Sequence, residues 1–135
     1  MANEGSSLGR RFFESQDVRR GGPDPLLCTA DYTARIGIQP ETDIHGHDSY
    51  ARLLYAAFPD MGRVFDDFVL TADKEVVRFR LQGTHQGEFL GVAPSGRRID
   101  APCLAILQLR DGKVSRLDGI VDLAAILTQI GGPAE

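Results

Sequence analysis

Glu75-Val76-Val77-Arg78-Phe79-Arg80-Leu81-Gln82-Gly83-Thr84-His85 is the stretch that decides how the rest of the chain is read. Apolar Val77, Phe79 and Leu81 alternate with Arg78, Arg80 and Gln82, and a period of two sends alternate side chains to opposite faces of a strand. One face of this strand is apolar and the other polar, so it belongs to a sheet with a core on one side. His85 continues the apolar row and is expected to point inward.

The same period extends outward. Val64–Leu70 reads as a preceding strand, joined by a turn at Thr71-Ala72-Asp73-Lys74. A Gly- and Pro-bearing loop, Gln86 to Arg97, leads to an apolar strand over Ile99–Leu109. Arg110-Asp111-Gly112-Lys113 is a hairpin turn, because glycine accepts positive φ, and Val114–Val121 returns as a strand. Asp122 caps a short last helix, Leu123–Gln129, closed by Gly131.

Upstream the period becomes helical. Tyr50, Leu53, Leu54, Ala57 and Phe58 form one apolar stripe of a helix capped by Asp48 or Ser49 and stopped by Pro59. Residues 33–47 carry Gly37, Pro40 and Gly46 without periodicity and read as a loop. Ser6 or Ser7 caps a first helix bearing Leu8, Phe12 and Phe13 and ended by Gly21-Gly22-Pro23. Asp24-Pro25 then opens a short turn. Helices followed by an antiparallel meander predict an α+β domain, and the missing βαβ alternation argues against a doubly wound nucleotide fold.

Length and composition agree with one domain over residues 1–135, with flexible tails at about 1–7 and 132–135. The 135 residues are 42% hydrophobic and 25% charged, enough for one core and normal for a globular protein. A net charge of −4 argues against a nucleic-acid partner. No apolar run reaches the roughly 20 residues of a membrane span. The N-terminus has no basic region followed by an apolar stretch, so the expected location is the cytoplasm. Cys28 and Cys103 have neither disulfide-framework nor metal spacing, and Cys103 in an apolar strand reads as a small buried hydrophobe.

Three segments carry a family resemblance. Gly83-Thr84-His85-Gln86-Gly87-Glu88-Phe89-Leu90-Gly91-Val92-Ala93-Pro94-Ser95-Gly96-Arg97-Arg98, Ala57-Phe58-Pro59-Asp60, and Asp111-Gly112-Lys113-Val114 with Asp122-Leu123 and Leu127–Gly131 resemble SnoaL-like polyketide cyclases of the NTF2-like superfamily. The resemblance implies a cone in which a curved antiparallel sheet wraps helices around one central pocket. It also implies acid-base chemistry without a cofactor or metal, typically aldol closure of a polyketide ring through an enolate. SnoaL-type cyclases place an acid-base Asp eight residues after the aspartate of the hairpin turn and a His six residues before it. Counted from Asp111, these positions are Gly119 and Ala105, neither of which moves a proton. Where the family has a histidine after tyrosine, Tyr32-Thr33-Ala34-Arg35 carries arginine.

The candidate acid-base groups are then His85 and Asp118. For His85 two readings stand: a proton carrier at one end of the pocket, or a hydrogen bond that orders the following loop. Asp118 lies one residue from Gly119 and so on the opposite face of its strand, unless a bulge re-aims it. Tyr32, Arg35, Tyr50, Leu54, Phe79, Cys103, Ala105 and Gly119 are the expected substrate-lining positions. Asp43-Ile44-His45-Gly46-His47-Asp48 looks metal-like but reads better as a polar rim.

The expected function is a cofactor-independent cyclase or isomerase acting on a small, largely apolar polyketide-like secondary metabolite. The alternatives are an epoxide-opening cyclase or hydrolase, and a non-catalytic ligand-binding or accessory protein. Because Ile99–Leu109 is apolar on both faces, the expected assembly is a homodimer packed sheet to sheet.

Overall fold

The computed structural model describes residues 7–131; the expected tails fall outside that range except Ser7. That residue caps α1 (Leu8–Arg19) by accepting a hydrogen bond from the Arg10 N–H at 3.1 Å. A 3-10 turn (Pro25–Leu27) leads to β1 (Cys28–Ile36), and then come α2 (Ile44–Ala57), β2 (Gly62–Leu70), β3 (Lys74–Thr84), β4 (Arg98–Arg110), β5 (Lys113–Val121) and α3 (Leu123–Gln129). The strands form one curved, unclosed sheet in the order β1-β5-β4-β3-β2. It is the expected α+β arrangement of a sheet around helices.

Two expectations are corrected. The segment read partly as loop contains β1, whose Tyr32 and Ala34 are buried while Asp31 and Arg35 are exposed. Its alternation was present in the sequence, but polar Thr29, Asp31 and Thr33 and the nearby Gly37 and Pro40 masked it. β1 pairs parallel with β5, so the sheet is a four-stranded antiparallel meander with one parallel edge.

The second correction concerns α2. It begins at Ile44, capped by Asp43, whose carboxylate accepts from the Gly46 N–H at 3.0 Å. Asp48 caps nothing in this helix; it accepts from the Gly22 N–H at 2.8 Å and pairs with Arg52. The buried stripe is accordingly His47, Ala51, Leu54, Tyr55 and Phe58, while Leu53 is 70% exposed.

The register of β3 matches the parity read from its sequence: Val77, Phe79, Leu81 and Gly83 are buried. β4 shows the same alternation, burying Ile99, Ala101, Cys103, Ala105 and Leu107. Phe12 and Phe13 of α1 are buried against this inner face, with the Phe13 ring 4.8 Å from that of Phe79. Full burial of each such ring stabilises the fold by about 1.5–3 kcal/mol. A bulge between Phe65 and Asp67 shifts the register of β2, so Arg63, Phe65 and Phe68 all lie opposite inward residues of β3. On the outer face Arg80 bridges Asp66 and Asp100. α3 closes one end of the cone: Gln129 bonds both the N–H and the carbonyl of Asp100, and Ile126 is fully buried.

Two of the segments that carry the family resemblance, Ala57–Asp60 and the one beginning at Gly83, form a clasp at the end of α2. The Asp60 carboxylate accepts from the Thr84 N–H and hydroxyl, both at 2.7 Å, and the Gln86 and Gly87 N–H groups both donate to the Ala57 carbonyl at 3.0 Å. A Cβ at position 87 would lie 2.4 Å from the Ala56 carbonyl oxygen, so only glycine fits.

Candidate functional site

Between α1, α2 and the inner face of the sheet lies a small, open-mouthed cavity with about 50 Å³ of water-accessible space. Much of its wall is apolar, from residues such as Leu54, Met61, Phe79, Leu81 and Leu117. Gln16 from α1, His47, Tyr50 and Tyr55 from α2, and Arg63 from β2 supply the polar groups. Tyr50 is half-buried and borders two adjoining hollows as well, which places it at the mouth.

His47 is 3% exposed. Its Nδ1 lies 2.8 Å from the Tyr32 hydroxyl, and the two rings are stacked. The side chain's one hydrogen bond among the described residues is that at Nδ1, and the residue lines the cavity. Burial, helped by the positive charge of Arg63 and opposed by Asp48, pushes the imidazole pKa down to about 4. Burial also pushes the Tyr32 phenol well above its ordinary range. At neutral pH both groups are therefore uncharged. The Tyr32 hydroxyl can donate to Nδ1 or accept from it, so Nε2 carries either a hydrogen or a lone pair.

Arg63 is the second polar element. One terminal nitrogen donates to Asp17 at 2.5 Å, to the Tyr55 hydroxyl at 3.1 Å and to the Phe13 carbonyl at 3.4 Å. The other donates to the Gln16 side-chain oxygen at 3.3 Å. Tyr55 donates to Asp17 at 2.6 Å; burial first, then this bond, push its pKa up to about 12 against the pull of Arg63. The guanidinium lies 5.0 Å from the Phe13 ring and 5.2 Å from that of Phe79. Within this group Arg63 Nε and Gln16 Nε2 have no acceptor among the described residues. A buried donor left so costs about 1–3 kcal/mol.

The opposite wall is bare. Ala105 and Gly119 are paired across β4 and β5, and both line the cavity, at the positions counted from the hairpin turn. Neither carries a titratable group.

The remaining sequence candidates divide by location. Leu54 and Phe79 line the cavity, and Tyr32 stands behind His47. Cys103 shares the inward row of β4 but lies outside the lining; burial pushes its thiol, like that of Cys28, up to about 12, so both stay protonated. Arg35 and Asp118 are register partners on the outer face, and Asp118 accepts two hydrogen bonds from Arg116. For Arg35 this corrects the expected place at the cavity rim, since Tyr32 and Ala34 take the inward parity. No bulge re-aims Asp118.

His85 is fully buried, yet it is not part of the cavity. It sits under the clasp, 5.5 Å from the Phe58 ring, and Ser95 gives both its backbone N–H (3.1 Å) and its hydroxyl (2.9 Å) to Nδ1. The expected inward parity holds; the expected position at the pocket's end does not, because the loop 86–97 folds over this end of β3. In the Asp43–Asp48 cluster, His47 points into the core and His45 is exposed, as residues two apart on a helix must. Among the described residues no group of three or more His, Cys, Asp or Glu could hold a metal ion.

Sequence reading saw His47 only as rim and did not single out Gln16 or Arg63. The signal for His47 was its spacing, four residues before Ala51 and seven before Leu54. For Arg63 it was parity with Phe65.

A family model, SnoaL-like polyketide cyclase, matches residues 12–130. Among solved structures, a candidate SnoaL-like polyketide cyclase from Jannaschia sp. CCS1 is 29% identical, with 80% of this chain and 76% of that one covered and a TM-score of 0.73. IdmH, a candidate polyketide cyclase from Streptomyces antibioticus, is 26% identical over 92% of this chain and 96% of that one, with a TM-score of 0.81. AclR, a candidate hydroxylase from Streptomyces galilaeus, has a TM-score of 0.81 at 21% identity, covering 95% and 85%, and so shares the fold. No curated protein sequence matches the chain. Among the described residues no helix is long and apolar enough to cross a membrane.

Proposed function

The chain belongs to the SnoaL-like polyketide cyclase family, and from that premise we propose that it is a cofactor-independent, cytoplasmic cyclase or isomerase of small, largely apolar, polyketide-like molecules. The observation that carries this reading is the His47–Tyr32 pair: a neutral imidazole, held at Nδ1, on a residue that lines a largely apolar cavity. In this reading His47 takes the acid-base role that the Ala105 and Gly119 wall cannot fill. A carbonyl compound lodged in the cavity presents an α-hydrogen to Nε2, and the imidazole removes it as the enolate forms. Negative charge developing nearby raises the imidazole's affinity for that proton, so a base weak at rest strengthens along the reaction. The enolate carbon then attacks a second carbonyl in a cyclisation, or is reprotonated elsewhere in an isomerisation.

The test is deuterium exchange at the α-carbon of 1-tetralone, a small apolar aromatic ketone, followed by NMR in D₂O. The protein should accelerate exchange, and His47→Gln should lower that rate by about 10²–10⁴-fold, the usual range for losing a general base. Exchange no faster than buffer, or equal in the variant, defeats the proposal and favours a ligand-binding role.

The assembly proposed is a homodimer through the outer face of the sheet, where Leu104, Ile106 and Ile120 are 45%, 41% and 63% exposed. Light scattering that gives one chain mass at micromolar concentration would overturn it.

A further inference from the structure

Two buried N–H groups on cavity-lining residues have no acceptor among the described residues. Gln16 is 1% exposed and the Arg63 side chain 8% exposed, and both line the cavity. The Arg63 fork is partly committed: one terminal nitrogen serves Asp17, Tyr55 and the Phe13 carbonyl, the other serves the Gln16 oxygen. That last bond fixes the amide. With its oxygen turned to the guanidinium, the Gln16 nitrogen must be directed away from it, and a flipped amide would set donor against donor. Arg63 Nε and Gln16 Nε2 are left over on two directly hydrogen-bonded side chains, without an acceptor among the described residues.

We propose that Arg63 Nε and Gln16 Nε2 form a two-donor subsite for one oxygen of the ligand, a carbonyl oxygen that carries negative charge when it enolises. This rests on the reading of the cavity as a carbonyl-chemistry site and adds the feature that selects the substrate: an apolar body with a single oxygen at its buried end. The reasons are chemical. Two N–H donors, one from an amide and one from a guanidinium, suit an oxygen acceptor and offer nothing to a cationic or donor-only ligand. Asp17 already offsets the Arg63 charge, so the subsite supplies directed donors more than net charge, as oxyanion sites do. The Phe13 and Phe79 rings over the guanidinium keep the group enclosed and favour a flat apolar ligand beside it.

The probe is 4-nitrophenol, with nitrobenzene as its match in shape lacking the oxygen. Calorimetry at a pH where the phenol is ionised should show the phenolate bound at least tenfold tighter than nitrobenzene, about the worth of one charge-assisted hydrogen bond. Gln16→Glu keeps the acceptor that holds Arg63 while removing the free donor, and should abolish that preference. Should Gln16→Glu not fold, Gln16→Met, which removes the amide without adding charge, should reduce the preference by about tenfold. Equal binding of the two probes, no phenolate binding at millimolar concentration, or a preference unchanged in the folded Gln16 variant would each overturn the subsite. Because binding is read without turnover, a phenolate preference that survives failed tetralone exchange would sink the His47 proposal alone. The reverse result would sink only the subsite.

Discussion

Two regions of this molecule each contain a buried histidine and a glycine, and they do opposite things. In the clasp, His85 is tied by Ser95 and Gly87 presses on the Ala56 carbonyl. In the cavity, His47 is held at Nδ1 by Tyr32 and lines open space, which His85 does not, and a Cβ at Gly119 would meet nothing closer than 3.7 Å. The clasp contains two of the three segments that announce the family, and its contacts are hydrogen bonds and packing that hold the scaffold together. The cavity contains the groups proposed to act on a ligand, and no motif marks it. A recognisable motif here identifies the scaffold, while the polar groups of the cavity sit where sequence alone draws least notice.

The comparison predicts first a difference in pH dependence. His47 has a folded pKa of about 4 against an ordinary 6.5. The unfolded state therefore binds more protons between those values, and stability rises with pH across that window. The contribution is fully present above pH 6.5 and is lost as pH falls towards 4, worth about 3 kcal/mol in all. Urea titrations of the native chain and of His47→Gln should differ in slope over this range and run parallel above it. Equal slopes would mean that the imidazole is as well solvated in the fold as out of it.

Gly87→Ala comes next. The added methyl would overlap a carbonyl oxygen fixed in the last turn of α2, and forced overpacking costs about 1–3 kcal/mol. Thermal denaturation should show the loss, with tetralone exchange per folded molecule unchanged. An unaltered melting temperature would show that the clasp yields easily, and the contrast with the cavity would weaken.

His85→Gln should cost less. Glutamine's oxygen can accept from Ser95, so the variant should lose about 0.5–1.5 kcal/mol, the net value of an imperfectly replaced hydrogen bond. Near-normal exchange at a lower melting temperature would assign His85 to loop order. Collapse of exchange at an unchanged melting temperature would instead make it a proton carrier despite its place outside the cavity.

Much of the fold was legible because it rests on period: the β3 alternation, the hairpin at Asp111-Gly112 and the parity of Ala105 and Gly119 all follow from local pattern. The site was less legible for two physical reasons. The start of α2 was displaced because Asp48, a good capping residue, makes its bonds to Gly22 and Arg52. That error left His47 in a presumed loop. Arg63 and Gln16 are polar residues turned inward, and composition rules assign such residues to the surface until tertiary partners such as Asp17 are known.

The smallest expected effect is at Gly119, and it tests the cavity side directly. Its backbone is not in the left-handed region, so alanine adds no strain there. The new methyl would find the Leu104 carbonyl and the Leu117 side chain at 3.7 Å and the Ala105 methyl at 3.9 Å, ordinary contact distances. Gly119→Ala should thus stabilise the chain by about 0.4–1 kcal/mol, chiefly by restricting the unfolded state. The same methyl takes space from the cavity facing His47 and none from the clasp around His85. Melting temperature should rise slightly while the affinity for 4-nitrophenolate falls or holds, a separation that Gly87→Ala cannot produce. A loss of stability would mean that this wall is packed as tightly as the clasp, and that the cavity is not open on the β4–β5 side.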